Sequence, residues 1–299
     1  MALDNKSLLP ELEIQVPVSG GHLSVHRYGS NQGKPILAIH GVTSSNRAWQ
    51  CFAAALVPRG YSIYAVDLRG RGNSNSLAGP FGMKNHALDM KATLDFLGIE
   101  RCDVVGHSMG GFVVVAFMSL FPDRVSKATL IDGGIPLPLP PGFTVDQILP
   151  MVLGPALARL NMTFASSSEY RDYWKPQAAF AKGWSSVLDE YVDYDLKGEA
   201  PHLKPSTNPA SVEEDSRDLF GSELIENGLR NLHDDVLLLR AERGLQNEVV
   251  PLYPIEMINA ALLNYPRVKL RTLDDTNHYD ILIHHEGAER CATAIYGEA

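Results

Sequence analysis

Cysteine is scarce in this chain, and what there is argues for a reducing compartment. Its 3 cysteines, Cys51, Cys102 and Cys291, are widely spaced and odd in number, so they make neither a disulfide framework nor a zinc site. No cluster has metal-ligand spacing, and no metal or organic cofactor is expected. Basic runs are absent as well. A formal net charge of -9 with no Lys/Arg-rich segment argues against a nucleic-acid partner, because binding a phosphate backbone needs a basic face. Apolar runs long enough to cross a bilayer are missing too, and residues 1–10 carry Asp4 and Lys6 with no signal-like apolar stretch. The expectation is a cytoplasmic protein that does not insert into membranes. With 45% hydrophobic and 20% charged residues, neither disorder nor a fibrous repeat is suggested.

What is present is an alternation of short apolar runs with amphipathic segments. That pattern builds a mostly parallel sheet covered by helices on both faces. Residues 12–18 and 22–28, joined through Ser19-Gly20-Gly21, read as an antiparallel hairpin. The run Pro35-Ile36-Leu37-Ala38-Ile39, ending at His40-Gly41, reads as a strand covered on both faces. A helix from Ser45 with Trp49, Phe52, Ala53 and Leu56 on one face follows, then a strand over 61–66. Further on come a helix over 86–97, a strand over 102–106, a buried helix over 112–120 stopped by Pro122, and a strand over 127–131.

After Asp132-Gly133-Gly134 the alternation stops. Pro136, Pro138, Pro140 and Pro141 form a stiff linker, and residues 135–217 read as an inserted helical lid between core segments 1–134 and 218–299. This stretch is rich in aromatics, including Tyr170, Tyr173, Trp174, Phe180, Trp184, Tyr191 and Tyr194, which for the most part suit a small core of its own. Alternation resumes with helices near 222–232 and 254–263, strands over 236–239 and 268–273, and a final helix over 279–295.

Gly106-His107-Ser108-Met109-Gly110 is a G-x-S-x-G sequence lying between an apolar strand and a helix, the setting in which a serine is lifted onto a sharp turn. A serine hydroxyl needs a base to take its proton and a third group to orient that base. His278, in the loop after the last strand, is the candidate base. His202, His233, His284 and His285 fall in lid or helix segments and suit surface roles. His107 is expected to point away from the serine, since neighbours in a tight turn diverge, and His40 to position a loop by hydrogen bonding.

These motifs, together with Trp49 eight residues beyond Gly41 and Asp67-Leu68-Arg69-Gly70-Arg71-Gly72-Asn73-Ser74, resemble the α/β-hydrolase superfamily. The nearest likeness is to lid-bearing carboxylesterases and small-molecule lipases; carbon–carbon bond hydrolases and haloalkane dehalogenases share the layout. Dehalogenases and epoxide hydrolases of this fold carry Asp at the nucleophile position, which Ser108 argues against. The resemblance implies an oxyanion hole formed by the backbone amides of Val42 and Met109. It gives Asp67 and Arg69 a structural role in their turn.

At the acid the sequence departs from the family. Many members place Asp where this chain has Gly244, so the acid must lie elsewhere. Asp132, ending the sixth strand at the same sheet edge as Ser108, is taken first, because the family is known to use that position; Glu242 is the alternative. Asp132 before two glycines is also good turn chemistry. Trp49, Trp174 and Trp184 are candidate pocket residues, although the spacing of Trp49 with Phe52 and Leu56 equally suits a core position.

The expected activity is hydrolysis of a small, moderately hydrophobic ester through an acyl-enzyme on Ser108. The same site plan also serves carbon–carbon bond hydrolysis, lactone or amide cleavage, haloperoxidase-like chemistry, and ligand reception without turnover.

Overall fold

A computed structural model describes residues 9–298, so most of the N-terminal stretch read for a signal segment lies outside the described residues. Eight strands form one sheet: β1 (Leu12–Val18), β2 (Gly21–Tyr28), β3 (Lys34–Ile39), β4 (Tyr61–Val66), β5 (Cys102–His107), β6 (Val125–Ile131), β7 (Val236–Ala241) and β8 (Val268–Leu273). Their spatial order is β1-β2-β4-β3-β5-β6-β7-β8. β1 and β2 pair antiparallel and the strands from β4 to β8 are parallel, so the chain has a mostly parallel sheet fed by one hairpin.

Two hydrophobic clusters show how the strands were legible. Along β3, Leu37 and Ile39 enter one cluster while Ile36 and Ala38 enter the other; Leu130 and Ile131 of β6, and Leu238 and Leu239 of β7, divide the same way. Both faces of these strands are buried, which explains their continuous apolar runs. α2 (Met83–Leu97) and α3 (Met109–Leu120) contribute Met90, Leu94, Val113 and Phe117 to the first cluster. α1 (Gln50–Leu56) adds Phe52 and Leu56 to the second, opposite face.

Between β6 and β7 the chain leaves the sheet. The stretch holds helices α4 (Val145–Leu153), α5 (Pro155–Ala158), α6 (Ser167–Trp174), α7 (Ser186–Asp195) and α8 (Pro209–Ser216). α9 (Glu223–Arg230) then returns to the sheet, with Ile225 and Leu229 in the same cluster as α3. Leu137 N donates to Leu219 O at 2.8 Å, tying the start of the excursion to its end. Its aromatics stack edge-on in a chain through Phe164, Tyr170, Trp174, Phe180 and Trp184, with successive centroids 4.7, 6.2, 5.7 and 5.5 Å apart.

Several boundaries differ from expectation. α2 begins at Met83 rather than near residue 86 because acids from the excursion cap it. Glu214, Asp215 and Asp218 accept from the amides of Phe81, Gly82 and Met83 at 3.1, 2.5 and 2.9 Å. The last helix is divided. After α10 (Ile255–Leu262) and β8 come α11 (Asp280–Ile283) and α12 (His285–Tyr296), separated by extended His284. The two segments pack closely across the break, where a Cβ on Gly287 would stand 1.9 Å from Asp280 O. The excursion also contains a two-residue antiparallel ladder pairing Leu196 with Pro205, which no alternation signalled.

Candidate active site

Parallel register brings the chemistry to one edge. Ile39 of β3 sits beside Gly106 of β5, and His107 of β5 beside Ile131 of β6, so the residues just past these strands emerge together. Ser108 N donates to Ile131 O at 2.9 Å, and Asp132 N donates to Leu239 O at 2.7 Å. Ser108 takes φ 54°, ψ -124°, a conformation that L side chains rarely adopt and a surrounding framework must impose. Gly106 and Gly110 make room for that turn: a Cβ on either would lie 2.1 Å from a backbone oxygen, Gly110 O or Ile39 O respectively.

His278 and Asp132 are both buried, at 4% and 0% exposure, and His278 Nδ1 stands 2.7 Å from Asp132 Oδ2. The carboxylate can only accept, so Nδ1 carries the hydrogen and Nε2 is left with its lone pair. Asp132 Oδ1 accepts from the Ala241 amide at 3.0 Å, which fixes the carboxylate's second oxygen on the imidazole. Glu242 is elsewhere: it is exposed, and its Oε2 accepts from Asp275 N at 2.7 Å, capping the loop that leads to His278. Gly244 is not a vacant acid position. A Cβ there would meet Glu248 Oε2 at 2.3 Å and Val250 O at 2.6 Å.

The loop after β3 is held by three buried cationic or imidazole side chains. His40 Nε2 accepts from Leu68 N at 3.1 Å, so Nδ1 is the donor to Gly41 O at 2.7 Å, and that bond fixes the peptide plane carrying the Val42 amide. Burial drives the His40 pKa down to about 3, keeping the ring neutral. Arg71 donates to Val42 O at 3.0 Å, and Arg159 to Thr43 O at 2.7 Å. Each guanidinium is neutralised by an acid from the excursion. Arg71 meets Asp215 at 2.5 Å, and Arg159 meets Asp195 at 3.0 Å, with the Tyr170 hydroxyl bonded to both members of the second pair. Met109 is the first residue of α3, where a helix leaves its amides free to donate.

Burial alone would raise the Asp215 pKa, but His86 and Arg71 beside it hold the carboxyl well below the ordinary carboxylate range. Its contribution to stability is therefore present above the unfolded carboxylate range and is lost only in strong acid. At pH 7, Asp215→Ala leaves Arg71 buried without its counter-charge and should cost about 3–5 kcal/mol in a urea titration.

Ser108 and His278 line two adjoining cavities. One, about 440 Å³, is walled by Phe112, Leu137, Leu149, Leu219 and Leu252 among others. Its neighbour, about 420 Å³, adds Thr43, Ser44, Tyr191 and Tyr279. Trp49, at 0% exposure and packed edge-on to Phe52 at 5.4 Å, is in the second core cluster and lines neither cavity. Trp184 also lies outside both, its indole nitrogen donating to Asp189 at 2.8 Å. Trp174 is 3% exposed and borders a smaller cavity beside Arg159, whose guanidinium lies 5.0 Å from its ring. A larger cavity, about 890 Å³, opens between α3 and α9 at the other end of β6 and is lined by neither Ser108, Asp132 nor His278.

The sequence pattern of the family described as "alpha/beta hydrolase fold" matches residues 34–284. The chain belongs to that α/β-hydrolase family. A protein of Paraburkholderia phymatum named 2-hydroxy-6-oxononadienedioate/2-hydroxy-6-oxononatrienedioate hydrolase is 36% identical over 126 residues, 40% of this chain and 44% of that one. Lipase LipV of Mycobacterium tuberculosis is 32% identical over 177 residues, 58% of this chain and 60% of its own length. The matches thus span about half the length of these curated relatives. Among solved structures, E-2-(acetamidomethylene)succinate hydrolase superposes with a TM-score of 0.78 at 19% identity, covering 96% of this chain and 99% of that one. The thioesterase domain from the curacin biosynthetic pathway gives 0.76 at 19% identity, covering 95% and 98%. In this α/β-hydrolase-fold chain Asp132 stands directly after β6, and Gly244, after β7, has no space for a side chain.

Arg71 and Arg159 went unassigned in the sequence because each bonds a residue 29 or 116 positions away, and no spacing rule reaches that far. His107 is the other departure. Expected to point away from the serine, its ring lies 4.7 Å from that of His278 and borders a cavity that Ser108 also lines. Among the described residues no group of His, Cys, Asp and Glu is placed to hold a metal, and no helix is long and apolar enough to cross a membrane. The three cysteines are free and buried, and burial pushes the Cys51 and Cys102 thiols up to about 12.

Proposed function

We propose that this protein is a serine hydrolase of small, moderately hydrophobic esters, with Ser108 as nucleophile, His278 as general base and Asp132 as the orienting acid. The observation that carries this reading is the 2.7 Å bond from His278 Nδ1 to buried Asp132, beside a cavity that Ser108 also lines. Ser108 Oγ attacks the ester carbonyl carbon while His278 Nε2 takes its proton. The carbonyl π pair moves onto oxygen, and the amides of Val42 and Met109 stabilise the oxyanion. Collapse expels the alcohol, which receives the proton from His278; water, deprotonated by the same imidazole, then releases the acid and restores Ser108. The 135–217 excursion acts as a cap, closing the apolar cavity through Leu149, Val152 and Leu153 of α4.

Carbon–carbon bond hydrolysis has one observation in its favour, the 36% identity to a relative named for a dioate substrate. Against it, among the described residues no lysine or arginine lines either cavity at Ser108 to receive a second carboxylate, and Arg159 is already bonded to Asp195. Weighing against reception without turnover is the Asp132 contact, which offers His278 an orienting acid although Gly244 carries none.

The test is hydrolysis of p-nitrophenyl acetate, butyrate and octanoate. The expected result is turnover of all three, with butyrate preferred to acetate because the apolar cavity rewards each added methylene by about 0.8 kcal/mol. Turnover of none would overturn the ester reading.

A further inference from the structure

Ser108 stands at the junction of two cavities that offer a ligand different chemistry. Val42, Leu153, Leu245 and His278 border both, so a substrate held at Ser108 puts one part in each. In the cavity of about 440 Å³ the other polar side chains are already committed. Tyr253 donates to Ile135 O at 2.8 Å, and Asp132 serves His278 and the Ala241 amide. That side offers hydrocarbon contact.

The cavity of about 420 Å³ carries the hydroxyls of Thr43, Ser44, Tyr191 and Tyr279. Ser44 and Tyr191 stand 3.0 Å apart, and since one hydrogen closes that bond, the other is left to donate. The Tyr279 hydroxyl has no hydrogen-bond partner among the described residues, yet it is not one of the unpaired polar atoms sealed from solvent. The residue is half-buried, and its side chain lines the cavity onto which that hydroxyl opens. Burial, with Tyr191 beside it, raises the phenol pKa above its ordinary value, so the group is a donor at neutral pH. The ring itself is held in place, edge-on to His278 at 5.7 Å and tilted against Phe180 at 5.7 Å. A fixed, unbonded donor beside the nucleophile suits an acceptor on the ligand.

We propose that this cavity takes the alcohol part of the substrate, that the Tyr279 hydroxyl donates to an oxygen on that alcohol, and that the natural ester joins a hydrocarbon acyl group to an alcohol bearing a further oxygen. This rests on the ester-hydrolase reading and narrows it. With the acyl chain in the apolar cavity, the leaving alcohol falls on the other side of Ser108, where His278 returns the proton to it and Tyr279 follows His278 in the chain. A site that hydrogen-bonds a substrate oxygen discriminates against the analogue with a methylene in its place.

The test compares kcat/KM within pairs of matched size, in the wild type and in Tyr279→Phe: 2-hydroxyethyl against propyl butyrate, and 2-methoxyethyl against butyl butyrate. Phenylalanine keeps the ring against His278 and Phe180 and removes an oxygen that bonds nothing in the protein. The electron-withdrawing effect of the extra oxygen on the leaving group is the same in both proteins, so the change in each ratio reads Tyr279. The expected result is a wild-type preference for the oxygenated member that falls about five-fold or more in the variant, for the ether as well as the alcohol, because the phenol donates. A merely structural role would lower both members of a pair alike, so ratios that survive Tyr279→Phe overturn the proposal. The proposal also fails if the ratio that falls is instead that of butyl 3-hydroxypropanoate to butyl butyrate, which would put the acyl part beside Tyr279. Hydrolysis of none of these esters by the wild type overturns the ester-hydrolase reading, and this inference with it.

Discussion

Ser108→Ala should lower kcat for p-nitrophenyl butyrate by about a million-fold while leaving the fold unchanged. The size follows from the mechanism: without Oγ no acyl-enzyme forms, and what remains is the modest help the Val42 and Met109 amides give to direct attack by water. The fold should persist because the strained turn at φ 54° is imposed by its neighbours. The bonds Ser108 N to Ile131 O and Gly111 N to Ser108 O, both 2.9 Å, use only backbone atoms. Circular dichroism and the melting temperature check that half of the prediction. A variant that folds and keeps wild-type turnover would remove Ser108 from the chemistry.

Asp132→Asn is expected to cost about ten-thousand-fold in kcat, and the atoms show why stability should be spared. Oδ1 of Asp132 accepts from the Ala241 amide at 3.0 Å, and an asparagine side-chain oxygen can do the same. That puts the new amide NH2 opposite His278 Nδ1, where the carboxylate oxygen stood at 2.7 Å. Nδ1 must then accept, Nε2 carries the hydrogen, and the imidazole can no longer take a proton from Ser108. Asparagine also tolerates the left-handed backbone at φ 44° better than most residues. The control is Glu242→Gln, which keeps an oxygen for the Asp275 amide and should change kcat less than about two-fold. If the losses were reversed, with Glu242→Gln crippled and Asp132→Asn active, the acid would be Glu242.

The contrast between these two acids shows what a sequence reveals about a site. The strands were legible because double burial writes itself as apolar runs such as 35–39 and 236–239, and the hairpin because glycines punctuate it. Given those strands, Ser108, Asp132 and His278 fall at the same edge by parallel register, and local sequence suffices to nominate them. The outward placement of Glu242 did not follow, since it depends on where a side chain points after β7. Nor could the crowding at Gly244 be read, because Glu248 and Val250 reach that position only through the folded loop. The helix that starts directly after Ser108 was expected three residues later, because Gly110 and Gly111 are poor helix formers retained for close packing. Of the three tryptophans, the helical spacing of Trp49 with Phe52 was the better guide, and both rings are core.

The same limit applies to what holds the oxyanion loop. Val42 O and Thr43 O are each gripped by a buried arginine, and the acids that balance those arginines, Asp215 and Asp195, both come from the excursion. The proposed cap therefore does more than wall the apolar cavity: the loop that would stabilise the oxyanion is braced through it. Phe180 and Ala179 make a similar connection to the His278 loop, through a ring contact with Tyr279 at 5.7 Å and a bond from Asn277 at 2.9 Å. Long-range pairs of this kind leave no periodic trace in sequence.

The central claim is that Ser108 is the activated nucleophile, and stoichiometric labelling with a fluorophosphonate followed by peptide mass mapping tests it most directly. The account predicts one equivalent of adduct on the peptide containing Ser108, and none in Ser108→Ala. An adduct on another residue, or an enzyme that hydrolyses esters while Ser108 stays unlabelled, would contradict it.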